Sequence, residues 1–183
     1  PQALNLTQYL QQAASQNSAA QAAVSVRGPQ SVPNEQGIAY VPAATPLPYT
    51  VSFQNPTEGA VGSLRIVTEL DADIDPRSLR LNDLKLGDIN IHIPDSKASF
   101  QGDFDFSGSK GFVLRVSAGV DAETRVATWL LQAIDPDTGE VLKDAARGLL
   151  SPKAGDTSGA STKGFVSYTV VASDLALTGA EVK

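Results

Sequence analysis

The stretch PYTVSFQNP, residues 48–56, decides the fold class of this chain. Its apolar side chains fall on every second position, at Tyr49, Val51 and Phe53, and polar side chains stand between them. A period of two is typical of a strand with one buried face. We predict that this strand stops at residues 55–56, Asn-Pro.

Similar apolar runs follow along the chain, each bounded by clusters of Gly, Pro, Asp, Asn or Ser. They lie at residues 61–70, 89–93, 98–106, 111–118, 126–134 and 163–172. A spacing of about 8–12 residues between such runs is typical of all-β folds. The pattern therefore predicts an all-β protein, an antiparallel β-sandwich of the Ig-like or jelly-roll-like kind.

One segment changes the phase of this alternation. Leu79 and Leu81 occupy odd positions, whereas Leu84 and Leu86 occupy even ones. A strand cannot bury both pairs on one face unless it gains or loses a residue. We predict a turn or a bulge at residues 82–83.

The first 36 residues have a different composition. Residues 4–24 are rich in Ala, Gln and Ser, and residues 6, 9, 10 and 13 share one helical face, which predicts an N-terminal α-helix. The prolines and glycines of residues 26–37 favour extended chain. We therefore divide the chain into a helix and linker, residues 1–36, and a β-sandwich domain, residues 37–183.

Residues 144–163 are expected to form one long, mobile loop anchored by Leu149 and Leu150.

The composition excludes several classes of function. The 183 residues are 42% hydrophobic, enough for a sizeable core, and the net charge of -6 makes nucleic acid an unfavourable partner. The chain has no Cys and one His. This composition excludes a Cys/His nucleophile and zinc sites that need cysteine or several histidines. No apolar run approaches the roughly 18 residues of a membrane span. We expect neither an enzyme nor membrane insertion.

Because the chain starts at Pro1 and has no Met, we expect it to be a piece of a longer polypeptide.

Two acidic stretches are candidates for calcium binding. In AIDPDTGEVL, carboxylates stand at Asp135, Asp137 and Glu140, yet Pro136 and Gly139 are also what a tight turn requires. An EF-hand loop needs ligands at five or more positions, so the turn is the simpler interpretation.

The second acidic stretch is ELDADIDPRS, in which Asp71, Asp73 and Asp75 would share one side of an extended chain. Three aligned like charges repel one another. Such a row calls for a bound Ca²⁺, for a neighbouring arginine at residue 77 or 80, or for open water.

Three further candidates have a structural explanation. Asp103 and Asp105 alternate with phenylalanines, which places these carboxylates on the outer face of a strand rather than across a catalytic cleft. His92 lies out of phase with the isoleucines around it, so we expect it to be exposed. Trp129 alternates with Leu131 and Ala133, which favours a place in the core over a sugar-stacking platform.

Several stretches in order resemble one family of modules: LPYTVSFQNP, ELDADIDPRSLRLNDLKLGD, AGVDAETRVATWLLQAIDPDTGEV and GFVSYTV, within residues 47–171. Similar modules occur in very large secreted bacterial cell-surface and matrix proteins with adhesin-like, repeat-rich architecture. The loop at residues 146–163 departs from that pattern, where the family has a short Pro-rich link. The resemblance implies a location more than an activity, and it brings no catalytic residues.

The family pattern continues with one more strand-like segment beyond residue 183, so the resemblance implies a sandwich that lacks a strand. An open sheet edge can accept a strand from elsewhere. We expect a structural or adhesive module of a secreted bacterial surface or extracellular-matrix protein that assembles by strand complementation. Its expected partners are other copies of itself or the rest of a larger parent chain. The alternative is a calcium- or carbohydrate-binding module; otherwise no cofactor is expected.

Overall fold

A computed structural model describes residues 24–30, 35–36, 41, 44–152, 161–174 and 176. This part of the chain folds into nine strands and a single helical turn. The strands are β1 (Ser25–Arg27), β2 (Leu47–Gln54), β3 (Ser63–Glu69), β4 (Ile74–Leu86), β5 (Ile89–Ile91), β6 (Ser99–Phe106), β7 (Phe112–Asp121), β8 (Val126–Ile134) and β9 (Lys163–Ala172), with the helical turn α1 (Ser107–Lys110) between β6 and β7.

The strands form two antiparallel sheets, as the period of two predicts. The first sheet has the order β1-β2-β9-β4-β5, and the second has the order β3-β8-β7-β6. All neighbouring strands run antiparallel. The all-β prediction is therefore confirmed.

The two sheets share one hydrophobic core. Alternate side chains of β2, β4, β7, β8 and β9 are buried in a single cluster. Trp129 of the second sheet belongs to this cluster and is fully buried, as predicted, and its ring contacts that of Tyr168 in the first sheet. Because the contact joins the sheets, the alternation of apolar residues also determines which faces meet.

Strand β4 contains the predicted irregularity. Its register with β9 shifts between Leu81 and Leu84, and leucines 79, 81, 84 and 86 are all buried. A bulge thus turns both pairs of leucines toward the core. A second shift lies between Asp75 and Arg80.

The N-terminal region is described only in part. The helix predicted over residues 4–24 lies outside the described residues except for Val24. Ser25–Arg27 forms strand β1 and pairs with residues 50–52 of β2, although we expected a linker there. Three residues are too few for a period of two to emerge from the sequence.

The loop after β8 is anchored as predicted. Leu149 and Leu150 are buried, and both bind the backbone of Val61 just before β3. The Leu149 N–H donates to the Val61 carbonyl at 2.7 Å, and the Val61 N–H donates to the Leu150 carbonyl at 3.1 Å. Residues 153–160 of this loop lie outside the described residues.

Asn55 links three separate segments where β2 ends. Its side-chain amide donates to the carbonyls of Gly59 (2.8 Å) and Ser151 (2.9 Å), and its Oδ1 accepts from the hydroxyl of Thr57 at 2.7 Å. Its backbone N–H donates to the carbonyl of Thr162 at 2.8 Å. Asn55 is buried, and these partners satisfy its side-chain amide and its backbone N–H, as burial requires.

Of the residues that the structure describes, none belongs to a helix with the length and apolarity that a membrane span requires.

Candidate functional site

The acidic loop, residues 70–75, does not form the extended row that the sequence suggested. Residues 72–73 form a turn, closed by the Ile74 N–H, which donates to the Asp71 carbonyl at 3.0 Å. The Asp71 carboxylate accepts the Asp73 N–H at 2.9 Å, and that of Asp75 accepts the Arg77 N–H at 2.9 Å. The prediction of an extended chain here was wrong, because Asp side chains that bond the backbone two residues on favour a turn.

A guanidinium group holds the acidic loop in place. The side chain of Arg125 donates to the backbone carbonyls of Leu70 (3.4 Å), Ile74 (2.6 Å) and Asp71. In return, the Leu70 N–H donates to the Arg125 carbonyl at 2.8 Å. The backbone carbonyl oxygens of the loop therefore already contact a cation, the guanidinium group of Arg125.

Sequence reasoning missed Arg125 as the cation of the acidic loop. It lies in the turn between β7 and β8, 54 residues from Asp71, and no local spacing relates the two. Its backbone φ of 59° is unusual for a residue with a side chain. The sequence does not reveal that angle, so no sequence signal marks Arg125.

Residues 135–140 form the tight turn that was the simpler interpretation. The Asp135 carboxylate accepts the N–H groups of Asp137 (2.9 Å) and Thr138 (3.1 Å), and the Asp135 N–H donates to the Glu140 carbonyl at 2.8 Å. Gly139 has a φ of 72°, the left-handed conformation for which a turn uses glycine. The two N–H groups hold the pKa of Asp135 below its ordinary value.

Neither acidic stretch gathers its carboxylates around a common point. Within the described ranges, no group of three or more His, Asp or Glu side chains is arranged to hold a metal ion. The carboxylates of Asp71, Asp75 and Asp135 accept backbone N–H groups instead. Calcium binding at Asp71, Asp73 and Asp75, or at Asp135, Asp137 and Glu140, stays a prediction.

Asp103 and Asp105 lie on the exposed side of β6, as predicted. Asp103 accepts two hydrogen bonds from Arg115 of β7, at 2.9 and 2.8 Å, and this contact lowers the pKa of Asp103. Asp105 accepts the Ser107 N–H at 2.8 Å. The phenylalanines of β6 are only half-buried, however, and they pack against the core rather than belong to its buried residues: Phe100, Phe104 and Phe106.

His92 is exposed, as its phase predicts. Its side chain is 72% exposed, and Nδ1 lies 2.7 Å from Oδ1 of Asp83. The isoleucines at 89, 91 and 93 are buried, so the backbone turns His92 to the opposite side. The imidazole is thus paired on the surface.

A shallow groove of about 580 Å³ crosses the outer face of the second sheet. Ser117 and Gly119 of β7 line it, together with Thr128 and Leu130 of β8. Gly119 and Thr128 are register partners. Arg65 of β3 also lines the groove, which places a cation close to the edge of the sheet.

Strand β3 forms that edge. Its backbone forms hydrogen bonds with described residues only on the side that faces β8. The Gly62 carbonyl accepts from Ala133 and the Leu70 N–H donates to Arg125, both at 2.8 Å and both on the β8 side. Because antiparallel strands alternate, the odd-numbered residues of β3 point their N–H and C=O groups away from β8. Val61, one step earlier, uses this outward direction to bind Leu149 and Leu150.

The open β3 edge consists of the outward backbone groups of Ser63, Arg65, Val67 and Glu69. No described residue forms a hydrogen bond to these groups. Together with the groove beside it, this edge is the candidate functional site. No family model, curated protein or solved structure matches the chain.

Proposed function

We propose that this chain is a structural or adhesive module of a secreted bacterial surface or extracellular-matrix protein, and that it joins other polypeptides by strand addition. The observation that carries this proposal is the open β3 edge. Its four outward residues lack hydrogen-bond partners among the described residues. A row of unpaired backbone groups is a ready template for another strand.

The framework proposed for this module is a β-sandwich of the Ig-like or jelly-roll-like kind. Support comes from two antiparallel sheets that contribute to one core and from the ring contact between Trp129 and Tyr168. Sandwiches bury the inner faces of their sheets and leave sheet edges at the periphery. Such a framework holds the β3 edge rigid, which lowers the entropic cost of adding a strand.

The proposed location rests on the sequence. Residues 47–171 resemble modules of very large secreted surface and matrix proteins. Edge-to-edge joining suits such proteins because it links modules through backbone hydrogen bonds and places few demands on side chains.

The alternative, a calcium- or carbohydrate-binding module, has less support. Arg125 already contacts the carbonyls of the acidic loop, and Asp135 accepts backbone N–H groups in its turn. Titration calorimetry with Ca²⁺ tests this alternative directly, since a ligand that binds only the folded state also raises the melting temperature.

Cell fractionation tests the proposed function. Antibodies raised against the chain should detect it in the medium or on intact cells, and protease added to intact cells should remove the signal. A cytosolic marker protein, followed in parallel, must survive the same treatment. Detection of the chain only in the protease-resistant cytosolic fraction would contradict the proposal.

A further inference from the structure

The four sheet edges differ in length. The first sheet ends in β1 and β5, which have three residues each, whereas the second ends in β3 and β6, with seven and eight. Very short edge strands are one way in which proteins prevent unwanted pairing. Within the described residues, the second sheet therefore carries the two longest edge strands.

The two long edges differ in charge. The charged residues of β6 are Asp103 and Asp105, and Asp103 is already paired with Arg115. Strand β3 carries one cation and one anion on its outer face, Arg65 and Glu69, four residues apart. Both are exposed, and neither forms an ion pair or hydrogen bond with a described residue. Only β3 thus offers complementary free charges.

We propose that a second copy of this chain binds at the β3 edge, with the two β3 strands antiparallel about a twofold axis at Val67. The inference rests on the proposed function, since it names the partner and the register of the strand addition. The second sheets of the two copies would join into one continuous sheet.

The charged side chains of β3 favour this register over the other antiparallel registers. When Val67 faces Val67 of the second copy, Arg65 faces Glu69 of that copy, and by symmetry Glu69 faces its Arg65. Opposite charges on directly opposed residues stabilise a strand pair, and like charges destabilise it. A shift of the axis to Arg65 or to Glu69 would oppose like charges. Among antiparallel registers, only the axis at Val67 opposes Arg65 to Glu69.

The backbone supports the same register. Residues 65, 67 and 69 all point their N–H and C=O groups to the open side, because the even-numbered residues bond β8. About Val67, each odd residue of one copy faces an odd residue of the other. Each of these odd-numbered pairs would therefore exchange two hydrogen bonds. Val67 adds a β-branched contact at the axis.

Charge-reversal variants test the register. R65E and E69R each place like charges opposite one another twice in a self-dimer, so each should weaken self-association about tenfold or more. An equimolar mixture of the two variants opposes unlike charges at both positions and should form heterodimers. Sedimentation equilibrium of the full chain measures both effects. The matched control is R27E, the same charge change on the edge strand of the first sheet, which should leave the dimer unchanged.

The outcomes of this experiment are distinct. A concentration-dependent monomer–dimer equilibrium of the unmodified chain, lost in each single variant and restored in the mixture, supports the proposal. A chain that stays monomeric up to about 1 mM overturns it. So does a dimer that R65E and E69R do not affect, since another surface would then mediate association.

A backbone variant tests the hydrogen bonds. V67P removes the N–H at the proposed axis, and proline is tolerated on an edge strand when that N–H faces solvent. We expect V67P to remain folded and monomeric, while V67T, which keeps the N–H and the β-branch, dimerises normally. Should V67P fail to fold, the mixing experiment still decides the question.

A crosslink tests the axis itself. The chain has no cysteine, so a disulfide in the single variant V67C joins two copies. Facing hydrogen-bonded residues lie about 5.5 Å apart at Cα, within the disulfide range of about 4.4–6.8 Å. S63C is the control, because its two copies would lie about 26 Å apart along the strands. Rapid oxidation of V67C but not of S63C is expected; equal rates would exclude the proposed axis.

Failure of this inference and failure of the proposed function give different results. A monomeric chain that fractionates with the cell surface leaves the structural role intact and excludes a second copy as the strand donor. A Val67-centred dimer that is confined to the cytosol supports the register and contradicts the proposed location.

Discussion

The ring of Trp129 meets that of Tyr168 across the two sheets, with centroids 5.5 Å apart and planes inclined by 40°. Tyr168 in turn stacks on Tyr49 of the same sheet, with centroids 5.4 Å apart. The three rings therefore form a continuous contact from the second sheet into the first. Trp129 is fully buried, and its Nε1 has no hydrogen-bond partner among the described residues.

Truncation of the Trp129 side chain should strongly destabilise the fold. W129A leaves a large cavity between the sheets and should lower the free energy of unfolding by about 3–5 kcal/mol. W129F keeps an aromatic ring beside Tyr168 and removes the unsatisfied N–H, so its loss should be smaller. Denaturant titrations followed by circular dichroism measure both. Equal losses in the two variants would contradict a role for the ring contact.

Removal of the Asn55 side chain should also destabilise the fold. N55A leaves the carbonyls of Gly59 and Ser151 without their donors in a partly buried site, and we expect a loss of about 2–4 kcal/mol. The exposed Asn90 of β5 provides the matched control: N90A should change stability by less than about 0.5 kcal/mol. The same denaturant titrations apply, and similar values for the two variants would contradict the linking role of Asn55.

Loss of the Arg125 side chain should destabilise the fold and loosen the acidic loop. R125A removes the donors to the Leu70, Asp71 and Ile74 carbonyls, and we expect a loss of about 1–3 kcal/mol together with faster amide hydrogen exchange in residues 70–75. R125G should be more stable than R125A, because glycine accepts the φ of 59° without strain. Unchanged exchange in R125A would show that the loop is held by other contacts.

Stability should fall in acid. Six aspartates have lowered pKa values, with hydrogen bonds as the main cause: Asp88, Asp103, Asp105, Asp121, Asp135 and Asp144. Because their folded pKa values lie below the unfolded value of about 3.9, their stabilisation is present above that pH and is lost as the pH falls toward the folded values.

Melting temperatures from about pH 7 to about pH 2 measure this loss. D103N removes the carboxylate that binds Arg115 and should flatten the acid limb of the curve. A melting temperature that does not change below about pH 4 would contradict the prediction.

Stability should also fall in strong alkali. Burial raises the pKa of Tyr168 to about 12, and burial also raises that of Tyr49. A raised folded pKa means that the stabilisation is complete below the unfolded value of about 10 and is lost as the pH rises from about 10 toward 12. Absorbance titration of the phenolates should show these two tyrosines ionising only as the protein unfolds. Ionisation near pH 10 in the folded state would contradict their burial.

Much of the fold follows from local pattern. The period of two placed strands at or near β2, β3 and β5 to β9, and the phase change among the leucines of β4 predicted its bulge. These features were predictable because alternation reports which face of a strand is buried. The first residues of β4 and the three-residue β1 were missed, because an acidic turn and a short edge carry no such alternation.

The candidate site was less predictable. Spacing identified Asp135 and Gly139 as a turn because the residue types alone determine its geometry. Spacing could not show that Arg125 binds the acidic loop or that Asn55 binds Ser151, since these contacts join residues far apart in the chain. The open edge was expected, but its location at β3 depends on strand order, which no local pattern specifies.

The central position of β9 has a consequence for biosynthesis. Strand β9 lies between β2 and β4, yet it follows both by many residues in the chain. A ribosome therefore releases β2 and β4 well before the strand that joins them, whereas the β6, β7 and β8 meander can form as it emerges. Until Lys163–Ala172 leaves the exit tunnel, the nascent chain exposes the apolar faces of two unjoined strands, and this is the interval in which chaperones would protect it most.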